Sequence, residues 1–181
     1  MKGLAVYCGS RNGASDIYIK GAKSLGFELA RRKTTLIYGG SSVGMMGAVA
    51  DSVLEAGGRV IGVMPRFLDE RERSHKNLSE LIIVESMHER KAKMSELADG
   101  FIALPGGPGT LEEFFEIFTW AQVGLHHKPI GLLNINHYFD PIVNLINHIA
   151  DEHFMDEKHR SLALVDEQPE GLLDQFIQYQ Q

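Results

Sequence analysis

The chain has 181 residues, 44% of them hydrophobic, with 18 Lys and Arg against 24 Asp and Glu and a formal charge of -6. That length supports one sizeable core, no Pro-, Gly- or Ser-rich linker divides it, and a single domain over residues 1–181 is expected. The acidic balance argues against a nucleic-acid backbone as partner, and the one cysteine, Cys8, excludes an internal disulfide.

The opening run Met1-Lys-Gly-Leu-Ala-Val-Tyr-Cys-Gly is too short for a signal peptide or a membrane span, so a cytoplasmic protein with no membrane partner is expected. Residues 4–8 read as a first strand, followed by the turn Cys8 to Ser15 and a helix over 16–31. The turn is not a clean G-x-G-x-x-G. The second strand, 34–38, runs into Gly39-Gly40-Ser41-Ser42 where a dinucleotide binder usually offers Asp or Glu to the ribose, which disfavours NAD. Gly39, Gly40, Gly44 and Gly47 crowd this second strand-to-helix junction, and tight packing and ligand contact explain them equally well. Helix 45–56, strand 59–64, strand 81–84 and helix 87–98 follow. Strand 101–104 then leads through Pro105-Gly-Gly-Pro-Gly-Thr-Leu-Glu-Glu113 into helix 111–124, and strand 129–133, helix 140–152, strand 162–165 and helix 169–179 complete the chain. Strands alternating with helices predict a doubly wound, Rossmann-like α/β fold, with a mainly parallel sheet of about seven strands flanked by helices on both faces. In such sheets ligands bind beyond the carboxyl ends of the strands, where the strand order reverses.

The glycine-rich turn at 105–110 is the strongest functional signal. The first amides of a helix lack intrahelical partners and carry the positive end of the dipole, so the turn reads as a phosphate seat. Pro108 has no N–H, which leaves Gly107, Gly109, Thr110 and Leu111 as donors. On helix 87–98, Met87, Arg90, Met94 and Leu97 form one stripe, placing a guanidinium among apolar neighbours. Arg90 therefore needs a carboxylate or phosphate partner, a cavity that holds one, or a path to water. Lys91 and Lys93 fall off that stripe and read as solvated charges. On helix 111–124, Leu111, Phe114, Phe115, Phe118 and Gln122 read as the core face, with Glu113, Ile117 and Trp120 opposite. An apolar second face predicts a covering neighbour, most simply a second copy, with Glu113 at the rim of a shared site. Thr110 and Glu113 also match a capping box, a purely structural use of that glutamate. The eight histidines show no metal-ligand spacing.

Together, Tyr38-Gly-Gly with Gly44-Met-Met-Gly47, Met87-His-Glu-Arg-Lys91 and Pro105-Gly-Gly-Pro-Gly-Thr-Leu-Glu-Glu113 resemble the Lonely Guy (LOG) family, the cytokinin riboside 5'-monophosphate phosphoribohydrolases. The resemblance runs from the Cys8-Gly-Ser turn to about residue 154. It implies hydrolysis of the N-glycosidic bond of adenosine or N6-substituted adenosine 5'-monophosphates, giving free base and ribose 5-phosphate without a metal or organic cofactor. It further implies Arg90 and Glu113 as the catalytic pair, and Glu72, Lys91, Gly107, Pro108, Gly109, Thr110, Leu111, Glu112 and Thr119 as substrate-binding positions. A chain this short resembles the dimeric branch. Two readings of other kinds stay open: a non-catalytic nucleotide-binding protein on the same fold, and a lysine decarboxylase, whose chemistry needs a Schiff-base lysine and a pyridoxal site that no lysine here suggests.

Overall fold

The computed structural model describes residues 1–69 and 74–179. Seven strands form one sheet in the order β4-β3-β2-β1-β5-β6-β7, and every pairing is parallel. They are β1 (Gly3–Tyr7), β2 (Thr35–Tyr38), β3 (Val60–Pro65), β4 (Glu80–Val84), β5 (Phe101–Ala103), β6 (Ile130–Leu133) and β7 (Ala163–Asp166). The helices are α1 (Asp16–Arg31), α2 (Gly44–Glu55), α3 (Arg66–Asp69), α4 (Met87–Leu97), α5 (Pro108–Gln122), α6 (Asp140–Asp151) and α7 (Pro169–Gln178). The fold expected from alternating runs is present; the short α3 and two 3-10 turns, at Ile135–His137 and Glu157–His159, carried no periodic signal.

Successive residues of a strand point to opposite faces, and the two cores divide accordingly. Leu4 and Val6 of β1 join Leu25, Val49 and Leu172 on the side of α1, α2 and α7, while Ala5 and Tyr7 join Met94, Phe114 and Ile146 on the side of α4, α5 and α6. Among the described residues no helix is long and apolar enough to cross a membrane.

The face assignment of α5 is corrected. Thr110, Glu113, Phe114, Ile117, Phe118 and Ala121 are its buried residues, and Ile117 sits in this chain's own core. Leu111, Phe115, Trp120 and Gln122 are only half-buried. A helix carrying Leu, Phe, Ile and Trp on several sides has no single apolar stripe, so sequence spacing could not choose the face that meets the sheet.

Candidate active site

The strand order reverses between β1 and β5, whose neighbours β2 and β6 lie on opposite sides. The loops leaving these two strands are tied together: Leu104 N–H donates to Tyr7 O (2.9 Å) and Gly9 N–H to Pro105 O (3.3 Å). Gly106 must be glycine, because a Cβ there would meet the Thr110 hydroxyl and lie 2.8 Å from Gly9 N. Gly44 and Gly47 are packing glycines too, since a Cβ on either would enter the backbone of Ser10 or Ser42. Gly107 and Gly109 are different. A Cβ on either finds nothing within 4 Å and neither has positive φ, so neither packing nor backbone geometry requires glycine at these two positions.

Helix α5 starts at Pro108 with Gly107 as its N-cap, three residues earlier than its periodicity indicates. Proline has φ pre-set for the first helical position and lacks only an amide that would be unpaired there. Thr110 therefore sits inside the helix, and the capping box with Glu113 does not form. Thr110 and Leu111 N–H groups both donate to Gly107 O, at 3.0 and 3.3 Å. Of the four expected amide donors, Gly107 and Gly109 keep theirs without an acceptor among the described residues.

Helix α4 brings in the arginine. Its N-cap Ser86 accepts from Glu89 N–H (3.1 Å), and Glu89 in turn accepts from Glu85 N–H (2.8 Å), which fixes the helix start one turn before Arg90. Arg90 is only 9% exposed, as is Glu113. The guanidinium lies where the missing side chain of Gly39 would be, so this glycine makes room for it. Its contacts are loose: Nη1 is 3.8 Å from Met87 Sδ, Nη2 is 4.0 Å from Glu113 Oε1, and the buried Nε has no hydrogen-bond partner among the described residues. A buried guanidinium with so few acceptors has donors to spare for an anion or another acceptor.

Glu113 titrates at about 7: burial raises its pKa, nearby Arg90 lowers it, and Glu112 raises it further. Burial thus outweighs the nearby arginine. Lys91 corrects another expectation. It is buried, and its Nζ donates to Glu112 (2.8 Å) and Glu116 (3.0 Å), which hold it protonated above the ordinary lysine range and brace α4 against α5.

Arg90, Gly107, Pro108, Gly109, Thr110, Glu112 and Glu113 line one cavity of about 220 Å³. Lys91 and Leu111 stand beside it without lining it, and Thr119 lies further along α5, exposed, with its hydroxyl donating to Phe115 O (2.7 Å). Glu72 lies outside the described residues. The cavity also takes in Cys8, Gly9, Ser10, Met46 and Met87, which sequence reasoning did not assign to the site. The position of the Cys8-Gly-Ser turn at the carboxyl edge of β1 was the signal that could have found the first three.

A family model described as possible lysine decarboxylase matches residues 46–176. The chain is 46% identical to a cytokinin riboside 5'-monophosphate phosphoribohydrolase of Rhodococcoides fascians, over 95% of this chain and 87% of the relative. It is 42% identical to an Arabidopsis thaliana enzyme of the same name, over 99% and 82% of the two chains. Among solved structures, the molybdenum cofactor binding protein of Rippkaea orientalis superposes with a TM-score of 0.72 at 21% identity, covering 98% of this chain and 97% of that one. A Moco carrier protein of Chlamydomonas reinhardtii does so at 20% identity with the same TM-score, covering 98% and 96%. At such identities these two likenesses concern the fold alone.

Proposed function

We propose, from the premise that this chain belongs to the Lonely Guy (LOG) family of cytokinin riboside 5'-monophosphate phosphoribohydrolases, that it is a hydrolase releasing the free base from a nucleoside 5'-monophosphate of the adenosine type. The observation that carries the reading is the buried Arg90, its Nε unpaired, beside Glu113 in a cavity that Gly107 and Gly109 leave open. The 5'-phosphate takes the free amides of Gly107 and Gly109, and Arg90 supplies charge to the phosphate or to a ribose hydroxyl. Glu113 lies four residues beyond Gly109, about one helical turn or roughly 6 Å. That is comparable to the span from phosphorus to the anomeric carbon in ribose 5-phosphate, which sets the carboxyl against the scissile bond.

In its ionised form Glu113 stabilises positive charge growing on the ribose and orients or deprotonates the attacking water. The water oxygen bonds to the anomeric carbon, the C–N electron pair leaves with the base, and a base nitrogen takes up a proton. A group titrating near neutrality can accept and return that proton. A decarboxylase reading finds less support: Lys91, the buried lysine beside this site, is held as a cation by two carboxylates, whereas a Schiff base needs a neutral amine.

We further propose a homodimer in which the half-buried Leu111 and Phe115 of α5 meet a second copy, bringing Thr119 toward a shared site. Incubation with AMP and with an N6-isopentenyl derivative, followed by chromatography for free base, tests the reaction and separates the two substrates. Nucleotide binding without release of base from either would instead favour the non-catalytic binding protein.

A further inference from the structure

A second cavity, about 630 Å³, opens on the far side of the Gly107–Pro108 wall. It shares Gly9, Ser10, Gly107 and Pro108 with the cavity of Arg90 and Glu113, so the two meet along the backbone where the 5'-phosphate is proposed to sit. In the pose proposed above, which sets Glu113 against the anomeric carbon, ribose and base lie on the Arg90 side of this wall, and a group esterified to the phosphate would be the part that reaches the larger space.

The lining suits such a group. Arg11 is exposed at this cavity and makes no ion pair among the described residues. Tyr18 of α1 and Tyr138 meet edge to face, with ring centroids 5.9 Å apart. Tyr138 is held in place by donating its hydroxyl hydrogen to Gly106 O (2.6 Å), which ties this wall to the phosphate loop. A cation followed by an aromatic surface fits a second phosphate followed by a sugar.

Resting on the phosphate seat proposed above, we infer that the larger cavity binds the distal half of an adenosine 5'-diphosphate ester, with ADP-ribose as the representative ligand. The second phosphate lies opposite Arg11 and the pendant ribose against Tyr18 and Tyr138.

Calorimetric titration of the wild type, Arg11→Ala and Ala14→Trp with AMP and with ADP-ribose tests this. Both positions are exposed and line only the larger cavity. ADP-ribose should bind the wild type at least as tightly as AMP. Each variant, one losing the cation and the other filling the space with an indole, should weaken ADP-ribose by roughly tenfold or more while AMP affinity and adenine release stay unchanged. ADP-ribose binding that is much weaker than that of AMP, or indifferent to both substitutions, overturns the inference. If AMP is turned over while ADP-ribose fails to bind, the inference alone falls. If adenine is never released but ADP-ribose binding responds to Ala14→Trp, the hydrolase reading falls and the cavity assignment stands.

Discussion

Two side chains govern the proposed chemistry, and they differ in how far the sequence betrays them. An arginine in the stripe Met87, Arg90, Met94 was legible as a group needing a partner; its unpaired Nε was not, because that follows from how α4 packs against the loop after β2. Glu113 was open to a structural reading until α5 was found to start at Pro108, which removes the capping role. With its pKa raised to about 7 by burial, Glu113 contributes stability that is fully present below about 4.5, the ordinary value, and lost as pH rises through about 7. Glu113→Gln, which cannot ionise, should match the wild type in urea unfolding near pH 4. It should exceed it near pH 8, by up to roughly 3 kcal/mol at about 1.4 kcal/mol per pH unit, and show no turnover while still binding nucleotide. In the wild type kcat/KM should climb with pH and level off above about 7, since the ionised form is the one that acts on water. A variant less stable than the wild type near pH 8 would mean that Arg90, not burial, dominates the carboxyl. Gly39→Ala probes the arginine without touching it. The new methyl would occupy the place of Arg90 Nη2 and lie 3.0 Å from Met46 Sδ, and both are flexible side-chain ends. The fold should survive, with stability within about 1 kcal/mol of the wild type, while a displaced guanidinium lowers kcat/KM on the order of 100-fold. An unchanged rate would remove Arg90 from the mechanism.

At the level of elements, strand and helix identity was readable almost throughout, because buried parallel strands are short apolar runs and the intervening helices are long enough to show their period. The onset of α5 was not. Gly107, Pro108 and Gly109 look like loop in isolation, yet proline at the first helical position and the carbonyl of Gly107, which accepts from Thr110 and Leu111, begin the helix there. The shift pairs the Thr110 and Leu111 amides within the helix and leaves, of the four donors expected for a phosphate, those of Gly107 and Gly109. Lys91 was misjudged for a related reason: its partners lie 21 and 25 residues away on α5, and no local pattern reports such a contact. Gly109→Ala separates what the helix prefers from what a ligand needs. The added methyl meets no protein atom and removes backbone freedom from the unfolded chain, so thermal stability should rise by about 0.5 to 1 kcal/mol. The same methyl would stand where the phosphate is proposed to approach the amides, and the KM for AMP should then increase roughly tenfold. A variant that is more stable and binds AMP equally well would place the phosphate elsewhere.

For the whole molecule, the topology puts the loops after β1 and β5 side by side at the reversal of strand order, and this explains why residues as distant as Cys8, Met46, Arg90 and Glu113 line one cavity. The sequence pointed to that edge of the sheet from its glycine-rich turns. What it misread was the inner face of α5: Ile117, expected on the outward face, is core, Leu111 and Phe115 are half-buried against that core, and the apolar residues exposed at this end of the helix are Val123 at 66% and Leu125 at 71%. Two large apolar side chains so exposed, on either side of Gly124 with φ 77°, are costly to leave in water and contribute little to the fold of one chain. If the proposed dimer uses this end of α5, Val123→Asp combined with Leu125→Asp should convert it to a monomer in sedimentation equilibrium, because two carboxylates cannot be buried there without partners. The thermal unfolding of the isolated chain should barely change, since neither side chain belongs to the core. Base release should fall with dimer content if Thr119 reaches a site shared between copies. A wild type that sediments as a monomer at full activity would show instead that one chain holds everything the reaction needs, and Thr119 would then have no part in it.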